Sequence, residues 1–305
     1  MTEIRGARIL VSGTSGMVGS ALVSSLKSGG ARIARLSRPG ARSDPNNELI
    51  PWNPAQPVET EWVSGFDAVV HLAGESVFGR WTEEKKGRIR HSRIPATANL
   101  ARALAQAKMK PRAFLCASAI GYYGNRSDEV LNEESAPGSG FAADLARDWE
   151  EATKPAADSG IRTVRTRIGI VLASRAGALA QMLPAFKAGV GGRVGSGKQW
   201  MSWIDLDDVV GAIQHILRTD ALAGPVNLVA PNPVTNIEFT KTLASVLHRP
   251  ALFPVPAFVL RLAFGEMADE LLLASDRVQP KRLLDSSYTF QFPTLRESLE
   301  NTLKA

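Results

Sequence analysis

The sharpest chemical signal is a run of glycines at the end of an apolar stretch, Ile9-Leu10-Val11-Ser12-Gly13-Thr14-Ser15-Gly16-Met17-Val18-Gly19. The spacing is Gly-x-x-Gly-x-x-Gly, with an amphipathic stretch directly behind it. Gly13 permits a tight turn, Gly16 lets the backbone approach a ligand closely, and Gly19 lets a helix pack against the strand. A helix starting there offers free N–H groups and the positive end of its dipole. The loop from Gly13 through Thr14, Ser15, Gly16, Met17 and Val18 to Gly19 is therefore suited to a pyrophosphate. Between the strand and helix of a βαβ unit this spacing is a dinucleotide-binding signature. NAD binders place an acid about 20 residues further on for the ribose 2′-hydroxyl. Here that stretch reads Ala34-Arg35-Leu36-Ser37-Arg38-Pro39, with two arginines, a serine and no acid. A guanidinium carries fixed charge and a fork of donors suited to phosphate. The expected cofactor is NADP(H), with Ser37 and above all Arg38 at the 2′-phosphate.

The other reactive residue types point away from metal or thiol chemistry. His71, His91, His215 and His248 show no ligand spacing, so no metal site is expected. His71 falls in a predicted core strand and reads as a hydrogen-bonded structural residue. The single cysteine, Cys116, also falls in a strand and reads as a small buried hydrophobe. One cysteine excludes an internal disulfide framework.

The elements that must position the glycine loop alternate short apolar runs with longer amphipathic ones, the pattern of βαβ units on a parallel sheet. Strands are predicted at Arg8–Val11, Arg32–Leu36, Ala68–Leu72, Ala113–Ala117, Thr163–Ile168 and Pro225–Val229. Helices are predicted at Met17–Ser28, Glu83–Ala107, Ala142–Ala157, Ala178–Lys187 and Asp207–Arg218, with Pro95 kinking or dividing the second and Asp207 capping the last. Beyond Ala230 the pattern changes. Thr235-Asn-Ile-Glu238 is a capping box ahead of a helix running to Leu247. Two short helices, a strand at Tyr288–Phe292 and a last helix from Thr294 follow. The fold class expected is α/β, a Rossmann-type doubly wound parallel sheet with a smaller mixed α/β C-terminal lobe. The sheet domain takes residues 1–173 and 204–230, and the lobe takes 174–203 and 231–305.

Composition agrees with a globular protein: 305 residues, 44% hydrophobic and 22% charged, with 36 Lys and Arg against 30 Asp and Glu. The net charge of +6 suits an anionic small ligand as well as it suits nucleic acid. Lys85, Lys86, Arg88, Arg90 and Arg93 form a basic run, but on an amphipathic helix this reads as a solvated face. No nucleic-acid signature accompanies it. No apolar run is long enough for a membrane span, and no secretory leader precedes the first strand. The expected partner is a small-molecule substrate, with neither nucleic acid nor membrane, in the cytoplasm. The oligomeric state is not legible.

With the glycine loop, Val70-His-Leu-Ala-Gly74 closing a strand, Ser118-Ala-Ile-Gly-Tyr-Tyr-Gly124 after another, and Trp203-Ile-Asp-Leu-Asp-Asp208, the chain resembles the extended short-chain dehydrogenase/reductase superfamily. Gly79-Arg-Trp81, Ser92-Arg93, Trp149-Glu150, Gly195–Trp203, Gly265–Leu272 and Pro280–Leu284 narrow the resemblance. They look like an atypical branch of the NAD-dependent epimerase/dehydratase-like proteins with a C-terminal domain of unknown function. The resemblance spans essentially the whole chain. It implies that Leu72, Ala73, Gly74 and Ala117 line the cofactor, that Ser118 is the catalytic serine, and that substrate binds between the two lobes.

One part of the superfamily's pattern is missing. Its active members pair the serine with Tyr-x-x-x-Lys on the following helix. Here those positions hold Phe141 and Leu145, or Ala142 and Ala146, and none of these can donate a proton or carry charge. Two readings stay open. In one, Tyr122 or Tyr123 handles the proton beside Ser118, with Arg126 as a neighbouring cation. The protein is then an oxidoreductase, or a nucleotide-sugar-epimerase-like enzyme, acting on a carbonyl or carbinol carbon. In the other, the fold keeps its nucleotide site as an inactive NADP(H)-responsive sensor or scaffold. Glu75, Ser76 and Trp81, in the loop after the Ala68–Leu72 strand, and Gln199 and Trp200, in the Gly195–Trp203 segment, are assigned to the substrate side.

Overall fold

The computed structural model describes residues 4–38 and 48–304; Pro39 of the arginine-bearing stretch lies outside them. Seven parallel strands form the central sheet: β1 (Arg8–Ser12), β2 (Arg32–Ser37), β3 (Glu48–Pro51), β4 (Ala68–His71), β5 (Ala113–Ala119), β6 (Arg162–Ile168) and β7 (Gly224–Leu228). Their order is β7-β6-β5-β4-β1-β2-β3, which reverses direction at β1. That reversal opens a crevice at the carboxyl ends of β1 and β4, where ligands of such sheets bind. The strand Glu48–Pro51 was not expected from the sequence. It extends the sheet by pairing with β2, Ala34 opposite Glu48.

Side-chain alternation divides the core into two layers. Ile9 and Val11 of β1 pack with helix α1 (Met17–Ser28), through Leu22 and Leu26, while Leu10 packs on the opposite face with Leu100 and Leu104. Those two leucines belong to α3 (Ile94–Gln106), which follows α2 (Glu83–His91). The predicted Glu83–Ala107 helix is thus divided at Ser92–Arg93, with Pro95 at the start of α3, where its missing N–H costs nothing. The predicted Ala142–Ala157 helix is divided in the same way, into α4 (Phe141–Glu151) and α5 (Lys154–Asp158), with Pro155 opening the second piece.

A separate core gathers Leu179, Leu183 and Phe186 of α6 (Gly177–Lys187), Trp203, Phe239 and Leu243 of α8 (Asn236–Leu247), and Leu295 and Leu299 of α9 (Leu295–Lys304). The capping box at the start of α8 is present in full. Between α6 and α8 runs α7 (Leu206–Arg218), and its cap is Asp205 rather than Asp207: the Asp205 carboxylate accepts the Asp207 N–H at 2.9 Å. The other Asp205 oxygen accepts from Ser298 Oγ at 2.7 Å, fastening α9.

The expected strand at Tyr288–Phe292 does not form. The buried Asp208 carboxylate takes the backbone N–H groups of Gln291 and Phe292, at 2.8 and 2.9 Å, and the Tyr288 hydroxyl at 3.0 Å. A side chain has claimed the donors that a ladder would need. A second carboxylate ties the C-terminal region to the sheet domain. Glu270 accepts from Phe141 N and Ala142 N, at 2.9 and 2.7 Å, and so closes the exposed start of α4. Gly140 just before it has φ +102°, and a Cβ there would lie 2.7 Å from Glu270 Oε1.

Candidate active site

The glycine loop forms a cradle that leaves no room for a larger residue at Gly13 or Gly19. A Cβ on Gly13 would sit 2.6 Å from the Leu72 carbonyl carbon, and one on Gly19 only 2.2 Å from Gly13 O. Gly13 has φ +72°, a left-handed conformation that favours glycine. Gly16 caps α1 without any side-chain hydrogen bond, so among the described residues no cap side chain takes the helix N-terminal donors. Shape and dipole both suit a pyrophosphate there. Beside the loop, Arg35 Nε donates to Thr14 Oγ1 at 2.9 Å, which fixes β2 against the cradle. Ser37 closes β2 half-buried, and Arg38 follows it exposed at the strand end. Among the described residues no group of three or more metal-ligating side chains lies together.

Leu72, Ala73 and Gly74 continue β4 past the cradle, partly or fully exposed, whereas Ala117 of β5 is buried. Behind them lies a neutral polar cluster. His71 is fully buried, its Nδ1 2.6 Å from Ser12 Oγ and its Nε2 3.1 Å from Thr97 Oγ1. Burial, helped by the Arg93 charge, lowers its pKa to about 4, so the ring is neutral at ordinary pH. Thr97 also receives the Trp149 indole N–H at 2.9 Å. Cys116 is buried alongside, and burial pushes its thiol up to about 12, which leaves no thiolate for nucleophilic work.

Ser118, at the carboxyl end of β5, does not stand alone. Its hydroxyl donates to Glu150 Oε1 at 2.8 Å. Glu150, on α4, is clamped by Arg167 of β6 through Nε at 2.7 Å and Nη2 at 2.9 Å, with the two side chains 7% and 4% exposed. Burial alone would lower the Arg167 pKa, but hydrogen bonding and attraction to Glu150 more than reverse that. Arg167 Nη1 donates to the Tyr123 hydroxyl at 3.0 Å, which donates to Asn227 Oδ1 at 2.7 Å. Asn227 N–H donates to Glu133 Oε1 at 3.0 Å, and burial raises the Glu133 pKa. One buried chain therefore runs from Ser118 across the sheet to β7.

This geometry corrects the expectation for Tyr123. The residue is fully buried, its hydroxyl is engaged on both sides, and burial pushes its pKa up to about 12. It holds the network together and has no surface to offer a ligand. Tyr122 is different. It is half-buried, its ring lies 3.4 Å from the Arg167 guanidinium carbon, and its hydroxyl makes no hydrogen bond among the described residues. The cation beside the tyrosines is thus Arg167. Arg126, expected in that place, is held by both oxygens of Glu129, at 2.8 and 2.7 Å.

The substrate-side residues divide. Glu75 and Ser76 lie in the loop after Gly74, with Glu75 paired to Lys85 at 3.0 Å and its N–H held by Ser92 Oγ. Trp81 is 8% exposed, donates its indole N–H to Val77 O and meets Phe141 edge-on, so it belongs to an apolar junction with Ile89, Leu145 and Met267. Gln199 is turned inward, its amide donating to the carbonyls of Val194 and Leu272. Neither presents itself to a cleft. Trp200 is half-buried, with Arg277 stacked 4.3 Å over its ring and its indole N–H on Asp128.

The match to known families follows this architecture. Residues 9–229 match the NAD dependent epimerase/dehydratase family, and residues 255–302 match a domain of unknown function, DUF1731. The chain belongs to the NAD-dependent epimerase/dehydratase family. An epimerase family protein of Mycobacterium leprae is 41% identical over 97% of this chain and 95% of its own. The human epimerase family protein SDR39U1 is 34% identical over 96% of this chain and 98% of its own. A crystal structure of human SDR39U1 (isoform 2) with NADPH superposes with a TM-score of 0.88 at 33% identity, covering 97% of this chain and 99% of that one. A Thermus thermophilus UDP-glucose 4-epimerase in complex with NAD, at 18% identity and TM-score 0.77, covering 97% and 98%, shares the fold.

Sequence reasoning singled out neither Glu150 nor Arg167 as functional. A signal for Arg167 was there: an arginine inside a predicted core strand requires a buried acid.

Proposed function

We propose that the protein binds NADP(H) and acts as an oxidoreductase on a carbinol or carbonyl carbon of a small-molecule substrate. The observation that carries this reading is the glycine cradle at the sheet's reversal point, with Arg38 at the end of β2 and no acid in the stretch from Ala34 to Pro39. Its similarity to a structure solved with NADPH supports the choice of the phosphorylated cofactor. Residues Gly13 to Gly19 would hold the pyrophosphate, Arg38 and Ser37 the 2′-phosphate, and Leu72 to Gly74 the other half of the dinucleotide. Bound there, the nicotinamide supplies hydride transfer.

The protein's own part in the reaction follows from its hydrogen bonds. Ser118 has one proton, and Glu150 takes it. Toward a substrate, Ser118 Oγ offers lone pairs and so accepts from an alcohol hydroxyl. The Arg167 pair holds Glu150 in place, which fixes the direction of the Ser118 hydroxyl. Tyr122 carries the unengaged phenol nearest this group and takes the role of proton donor and acceptor. With its proton engaged by Glu150, Ser118 is better matched to a hydroxyl than to a carbonyl. The reading is tested by following NADPH consumption against a panel of aldehydes and ketones, and NADP⁺ reduction against the matching alcohols. The wild type should turn over at least one pair, while Tyr122→Phe loses turnover and keeps NADPH affinity. A wild type inert on both panels, or a Tyr122→Phe variant with full turnover, contradicts it.

A further inference from the structure

A cavity of about 450 Å³ lies between β6, β7 and the junction of α4 with α5. It takes Arg162, Thr163 and Arg165 from β6 and Gly224, the first residue, from β7. These strands run parallel to the rest of the sheet, so the cavity sits toward their amino ends, away from the glycine cradle. Its volume falls within the ~300–1,000 Å³ of small-molecule sites. Ala157, Ile161 and Ala223 make part of its wall apolar.

The cations of this cavity are not equally free. Arg162 Nη1 donates to the carbonyls of Ile216 and Leu222 at 3.2 and 2.8 Å, closing the end of α7. Lys154 pairs with Asp158 at 2.7 Å. Arg165 has no such partner. Among the described residues its side chain makes no hydrogen bond and no ion pair, and its Nε is buried with nothing to donate to. Arg165 and Arg167 lie two residues apart on β6 and so face the same side of the sheet. Glu150 reaches the cavity wall, but its oxygens are directed to Ser118 and Arg167. Glu151, the other acid in the wall, stays exposed at the end of α4. Charges drawn out of water are normally paired, and Arg165 is left with donors unspent.

A second guanidinium converges on the same place. A Cβ on Gly224 would lie 3.5 Å from Arg165 Nη2 and 3.2 Å from Arg282 Nη1. Arg282 donates to the Ala223 carbonyl and, like Arg165, belongs to no ion pair among the described residues. Glu133 attracts it, but that carboxylate accepts the backbone N–H groups of Asn227 and Arg282. Two like charges held side by side repel each other, and a planar fork of N–H donors matches a carboxylate or a phosphate. We propose that this cavity is a second ligand site, taking a small organic anion whose carboxylate or phosphate group is held by Arg165 and Arg282. The apolar wall takes the body of the molecule. The site does not depend on what the glycine cradle holds.

The test uses benzoate, phenyl phosphate and the uncharged benzyl alcohol as probes, with affinities from calorimetric titration and stability from thermal melts. At ten times its Kd, at least one anion should raise the wild-type melting temperature by ~3 °C. The tighter of the two names the head group. Arg165→Met should weaken that anion by ~10-fold or more, the worth of a charge-assisted hydrogen bond. Ala157 is exposed on α5, so Ala157→Glu sets a carboxylate at the cavity mouth without touching the strand. It should weaken the same anion as much. Arg38→Glu, at the opposite end of the sheet, should bind it as the wild type does. No binding of either anion, equal binding of benzyl alcohol, or full anion affinity in Arg165→Met or Ala157→Glu overturns the proposal. A loss in Arg38→Glu alone would assign the anion to the cradle and overturn it as well.

Discussion

Replacing Glu150 by glutamine removes one charge from the buried pair at the back of Ser118 while keeping size and shape. The pair is made through two contacts of 2.7 and 2.9 Å with both side chains under 8% exposed, so water cannot take over the lost interaction. Breaking a buried pair by removing one partner costs ~3–5 kcal/mol, because the remaining charge is left uncompensated. Glutamine still offers Arg167 and Ser118 a neutral acceptor, which puts the expected loss at the low end, ~3 kcal/mol. For a chain this long that corresponds to a fall in melting temperature of ~6 °C, taking ~2 °C per kcal/mol. Arg167→Met alone should be similarly harmful, since it strands Glu150 and frees the Tyr123 hydroxyl. The double variant should be better than the sum of the two by ~2 kcal/mol. Urea unfolding of the four proteins measures the cycle. Single variants within ~0.5 kcal/mol of wild type, or strictly additive effects, would refute the view that the pair is what organises this site.

Two further outcomes follow from burial and backbone contact. Asp276 has an oxygen buried without a hydrogen-bond partner, and burial raises its pKa from 3.8 to about 7. The folded chain then binds a proton that the unfolded chain has already lost. Stability on this account is greatest below pH ~4 and falls as pH rises through about 7, by at most ~4 kcal/mol. Asp276→Asn should therefore raise the urea midpoint clearly at pH 8 and little at pH 5, and an equal gain at both would contradict the assignment. In the cradle, Gly19→Ala forces a Cβ to 2.2 Å from Gly13 O, and Gly16→Ala only to 3.3 Å. The first should lose NADPH binding together with several degrees of melting temperature, and the second should keep its melting temperature within ~2 °C; matching melts for the two would refute the close-packing argument.

The glycine loop was legible because each of its glycines answers a local demand, and the strands were legible because parallel strands covered on both faces are continuously apolar. What escaped was settled by partners distant in sequence. Tyr288–Phe292 reads as a strand until Asp208, some eighty residues earlier, takes its N–H groups. The cap of α7 fell on Asp205 because that side chain also serves Ser298. Arg93 shares the basic composition of its helix, and only the break at Ser92–Arg93 turns it inward beneath Gly74. Tyr122 and Tyr123 are indistinguishable as neighbours in sequence. The short helical turn after β5 sends one into the core and leaves the other half-exposed.

The most direct measurement is a fluorescence titration of the wild type and Arg38→Glu with NADPH, NADP⁺, NADH and NAD⁺, using the six tryptophans as reporters. NADP(H) should bind the wild type at least ~10-fold more tightly than NAD(H), and Arg38→Glu should erase that preference while NADH binding persists. Binding of none of the four, or a preference for NAD(H) that Arg38→Glu leaves untouched, would contradict it.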